Sequence, residues 1–85
     1  MELIIDGSLI RDKEALFKES IKQLDGADYA GHNLDALYDI LTEQPKEIEV
    51  QILAPKMVRK AVGAEYYHRL LDMLEDCCSK IVIEP

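Results

Sequence analysis

The sequence predicts an α/β fold, a three-stranded parallel β-sheet packed with helices. Three observations carry that expectation. β-prone runs stand at the start, middle and end of the chain, amphipathic stretches lie between them, and the order of elements reads β-α-loop-α-β-α-α-β. Strands separated by helices pair in parallel through crossovers, whereas hairpins would need only short turns. At 85 residues the chain can build one modest core, burying about 60 to 70% of its unfolded surface, and is too short for two ordinary domains. Residues 1–85 are therefore expected to form a single domain.

LIIDG, at residues 3–7, is a β-prone run closed by a turn signal, giving a first strand near residues 2–6. Asp12 is placed to cap the next segment. There Leu16, Phe17, Ile21 and Leu24 share one side of a helix, while Lys13, Glu14, Lys18, Glu19 and Lys22 form its wet side. DGADYAGHN interrupts as a structured loop, with Gly26, Gly31 and Asp28 as turn residues and Asn33 as the N-cap of a second helix. Pro45 ends that helix near Thr42 or Glu43. EIEVQIL alternates with period two and gives a second strand near 48–53. Pro55 fits the first turn of a short helix, Gly63 separates it from AEYYHRLLDMLEDC, and KIVIE is the third strand, near 80–84. Leu34, Leu37, Leu41, Val50 and Ile52 are expected in the core. Three strands leave one side of the sheet thinly covered.

The formal charge of −7 is unevenly placed. Asp25, Asp28, Asp35, Asp39, Glu43, Glu47 and Glu49 face only Lys46 in their segment, whereas Lys56, Arg59, Lys60 and Arg69 outnumber Glu65 in the next. Such polarity orients an approaching partner. It disfavours a direct nucleic-acid ligand, because phosphate contacts demand clustered bases. The N-terminus lacks the charged and apolar regions of a signal peptide, and no apolar run approaches the roughly 20 residues that cross a bilayer, so a cytoplasmic protein with no membrane role is expected. Cys77 and Cys78 are adjacent, with Cα atoms about 3.8 Å apart, below the usual disulfide span. Reduced, unbridged thiols follow.

Motifs for catalysis are missing. His32 and His68 stand apart from the cysteines, without zinc-ligand spacing. GADYAG is no dinucleotide fingerprint, no phosphate loop occurs, and Ser8, Ser20 and Ser79 lie in no nucleophile elbow. Neither a cofactor nor a metal is expected. Asp35 and Asp39 have the spacing of two carboxylates on one helix face, but nothing in the sequence separates their pKa values for acid-base work. The chain is not read as an enzyme.

The stretch DYAGHNLDALYDIL, residues 28–41, instead suggests an interface. From Asn33 onward, Leu34, Leu37, Ile40 and Leu41 share one helix face, and Asp35, Tyr38, Asp39 and Thr42 another. Asp35 belongs to the first turn, where the helix dipole favours an acid. Asp39 sits mid-helix one turn after a like charge, with Glu43 extending the row, an arrangement that costs helix stability. A solvated face is one reading, and carboxylates held for a basic partner are the other. Tyr29 and Tyr38 strengthen the second, since tyrosine makes broad contact at low conformational cost.

The run from Gly31 to Thr42, G-x-N-L-D-A-L-x-D-x-L-T, resembles the barstar family of intracellular inhibitors of the ribonuclease barnase. IIDG-x-x-IR, Ile4 to Arg11, and the closing helix and strand extend the likeness over nearly the whole chain. The resemblance implies a barstar-like α/β fold with a three-stranded parallel sheet. It also implies an acidic helix and preceding loop that plug the basic cleft of an extracellular or toxin-type ribonuclease, and no catalysis by the inhibitor, which is monomeric when free. Carried over position by position, the binding residues are Tyr29, Gly31, Asn33, Leu34, Asp35, Asp39 and Thr42. Asp39 would enter the subsite for the scissile phosphate, Asp35 would meet an adjacent guanidinium or backbone donors, and Tyr29 would pack on the active-site histidine. His32 and Tyr38 occupy family binding positions with changed residues, an acid and a tryptophan respectively, while Gln44 replaces another tryptophan and Ala30 a tyrosine. The late-helix acid of the family falls at Asp72 or Asp76, with Glu75 a weaker candidate. The same surface would also serve a non-inhibitory module binding another basic protein or nucleic-acid enzyme.

Overall fold

The computed structural model describes residues 1–24 and 33–84. β1 (Glu2–Asp6), β2 (Glu49–Leu53) and β3 (Lys80–Glu84) form one sheet in the order β1-β2-β3. Both pairings are parallel, with Leu3 beside Val50 and Val50 beside Ile81. The crossovers carry α1 (Lys13–Ile21) and α2 (Leu34–Thr42), then α3 (Pro55–Val62) and α4 (Ala64–Cys77).

Local chemistry sets the helix starts. Asp12 accepts a hydrogen bond from Ala15 N–H at 2.8 Å, and Asn33 accepts one from Ala36 N–H at 2.8 Å, so each cap serves an otherwise orphaned donor. Pro55 opens α3, where its missing N–H costs nothing. Gly63, at φ 93°, makes the joint between α3 and α4 in a backbone conformation that residues with a Cβ rarely adopt.

Period-two alternation turns Leu3, Ile5, Val50 and Ile52 into the core, where they meet Leu16 of α1, Leu37 and Leu41 of α2, Val58 of α3, and Leu70 and Leu74 of α4. The other face carries Ile4, Gln51, Leu53 and Val82, all partly or well exposed, so the sheet is covered thinly on that side. Leu24 is buried although it lies past the end of α1. Two features go beyond the expected elements. A 3₁₀ turn spans Gly7–Leu9, with Asp6 accepting from both the N–H and the hydroxyl of Ser8. Ala54 is left-handed at φ 51°, and its carbonyl lies so close to Gly7 that any Cβ there would collide with it. No described helix is long and apolar enough to cross a membrane.

Candidate functional site

α2 has two faces with different duties. Leu34, Ala36, Leu37, Ile40 and Leu41 are buried, which fixes the rotation of the helix against α4 and the sheet. That rotation leaves Asp35, Asp39 and Thr42 exposed, with the two carboxylates one turn apart. Leu34, a binding candidate by resemblance, belongs mainly to the core. Asn33 is the cap and Thr42 donates its hydroxyl to the Asp39 carbonyl at 3.0 Å, so both shape the helix ends around the acids.

Tyr38 lies half-buried between the helices, less exposed than expected of a residue on an open binding face. Its hydroxyl donates to Asp76 Oδ2 at 2.9 Å, linking α2 to the end of α4. This hydrogen bond to a carboxylate, reinforced by the negative charge of Asp76, raises the phenol's pKa above its ordinary value. A groove of about 450 Å³ runs along this seam, lined by Leu34, Asp35, Tyr38, Arg69, Asp72, Met73 and Asp76. The structure thus brings both late-helix candidates, Asp72 and Asp76, beside Asp35. Asp72 also approaches His68 Nε2 at 3.5 Å, one turn away. Glu75 does not line the groove. A second groove, of about 560 Å³, continues past Tyr38 and Thr42 to Asp76, Cys77 and Cys78.

Sequence reasoning missed Arg69 and Met73 as lining residues. Their signal was present: positions 69, 72, 73 and 76 recur at helical spacing and must form one stripe of α4. Which element that stripe faced required the tertiary packing. The candidates Tyr29, Gly31 and His32 lie outside the described residues.

The thiols of Cys77 and Cys78 are free, with Sγ atoms 3.5 Å apart. The hydrogen bond they share favours thiolate at Cys77 and pushes the pKa of Cys78 strongly up, with burial adding to the latter. Among the described residues no cluster of three or more histidine, cysteine or carboxylate side chains is placed to hold a metal ion.

The surface is therefore one of projecting acids on two packed helices, with shallow grooves between them. It offers acceptors to cationic donors. The family model that matches residues 1–83 is that of Barstar, described as a barnase inhibitor. No curated protein matches the chain.

Proposed function

Because the chain belongs to the barstar family, we propose that it inhibits a basic ribonuclease, secreted or toxin-type, inside the cell that makes it. The observation that carries this reading is the pair of exposed carboxylates, Asp35 and Asp39, on the face of α2 left open by its packing. Asp39 offers two acceptor oxygens to donors that otherwise hold the scissile phosphate, and Asp35 engages a neighbouring cation. Tyr29, Gly31 and His32 form the preceding loop contact, with Asn33, Leu34 and Thr42 holding the helix that presents the acids. Asp72 and Asp76 extend the acidic surface onto α4, and Tyr38 joins the two helices through Asp76. The chain works as one cytoplasmic domain, without cofactor or catalysis, by occupying the cleft.

Moving Asp39 from water into an interface is costly, so tight binding requires several charged donors in close geometry. The test is ribonuclease inhibition and direct binding with a basic nuclease encoded in the same genome, comparing wild type with Asp39→Ala. The substitution is expected to cost at least about 2 kcal/mol, the threshold for a hot spot, a rule to which the barnase–barstar pair itself contributed. Unchanged affinity in the alanine variant would remove Asp39 from the centre of the interface. Failure of wild type to bind the nuclease would move the reading to another basic partner.

A further inference from the structure

The two edges of the sheet are finished differently. At the outer edge of β1, the N–H of Ile4 donates to Gln23 Oε1 at 2.8 Å, and Gln23 Nε2 donates to the Ile4 carbonyl at 2.7 Å. The side-chain amide takes the place of a further strand at the middle of that edge. Among the described residues β3 has no such cover. It is the last strand of the sheet, and Val82 and Ile83 are 37% and 46% exposed.

The register determines which backbone groups of β3 point outward. Ser79 N–H donates to the Ile48 carbonyl at 2.9 Å. Alternation along a strand then directs the groups of Ile81 and Ile83 to β2 and those of Lys80, Val82 and Glu84 away from it. The outward edge is therefore K-V-E, read at every second position of KIVIE.

We propose that β3 is a docking edge for a second copy of this chain, the two strands pairing antiparallel about a two-fold axis at Val82 to form one six-stranded sheet. That register is self-complementary. It sets Val82 against Val82 of the second copy, and Lys80 against Glu84 twice over, so all three outward residues exchange backbone hydrogen bonds while opposite charges meet on one face. Ile81 falls opposite Ile83 on the other face. Moving the axis by one residue leaves outward groups unpaired and separates the charges. A two-fold contact of this kind closes on itself, so association stops at the dimer. The edge is only five residues long, and interfaces below about 1,200 Å² belong to the transient class, so the dimer forms reversibly at high concentration. It replaces the free monomer expected from the family resemblance under those conditions. The inference does not rest on the ribonuclease reading.

Sedimentation equilibrium of the full chain over a dilution series tests it. The weight-average mass is expected to rise reversibly from 9.7 kDa towards twice that value. Glu84→Lys sets lysine against lysine at both ends of the contact and should weaken association at least about tenfold, or ~1.4 kcal/mol. The double exchange Lys80→Glu with Glu84→Lys restores the pairing and should restore the dimer. Amide exchange at Val82 should slow with concentration while that at Ile81 does not. A mass of one chain throughout would overturn the proposal, as would a Glu84→Lys variant that associates like wild type or a double exchange that fails to recover. All three proteins are checked for folding by circular dichroism, and both substituted positions are exposed.

Discussion

The phenol of Tyr38 is held by a carboxylate 38 positions along the chain, and this contact ties the α2 surface to the end of α4. Helical spacing was enough to put Tyr38 on the same face as Asp35 and Asp39. It was silent on Asp76, because periodicity describes one element and the hydrogen bond joins two. The bond has a pH signature. Its acceptor raises the pKa of Tyr38 above 10.0, so the stabilisation is whole below about pH 10 and is lost as pH rises through the folded-state value. Burial raises Tyr66 and Tyr67 in the same direction. Stability measured by urea unfolding should accordingly fall on the alkaline side, and Tyr38→Phe should flatten that fall. An unaltered alkaline slope in the variant would mean that the bond does not persist in solution.

Among the elements, α2 is the one whose amphipathic pattern positions the proposed interface, because its buried stripe holds the acidic stripe outward. Leu37 is 1% exposed, and Leu37→Ala should cost about 2 to 5 kcal/mol through lost transfer energy and the cavity left behind. A urea midpoint close to wild type, with unchanged slope, would show that the site collapses around the smaller residue. Gln23→Ala should cost less, on the order of 1 kcal/mol, because the freed Ile4 groups regain water. The strand positions, the caps of α1 and α2 and the core stripes of those helices were legible in the sequence, since each rests on a local rule. The 3₁₀ turn after β1 and the left-handed Ala54 were not. Alanine carries no sequence mark of positive φ, and Gly7 reads as an ordinary turn until the chain brings Ala54 against it. The exposed edge of β3 was equally hidden, because KIVIE looks like any strand until the sheet order leaves it outermost.

At the scale of the whole molecule, charge separates along the chain: acids gather from α2 to the start of β2, and bases on α3 and the first half of α4. This much was readable without a structure, and the fold then places Asp72 and Asp76 of α4 beside Asp35 of α2, concentrating negative potential at the proposed interface. A field of this sign steers a cationic cleft towards α2 over distances that salt can screen. The screening length falls from about 10 Å at 0.1 M to about 3 Å at 1 M ionic strength. Raising salt should therefore slow association with a basic ribonuclease far more than it speeds dissociation, a division observed in the barnase–barstar pair from which that rule partly comes. Stopped-flow association across an ionic-strength series measures the slope directly. Glu47→Gln, an exposed change just beyond α2 and outside the proposed contacts, should lower the low-salt association rate and leave dissociation unchanged. An association rate indifferent to salt would mean that the acidic surface acts only at contact, and a variant altered chiefly in dissociation would put Glu47 inside the interface.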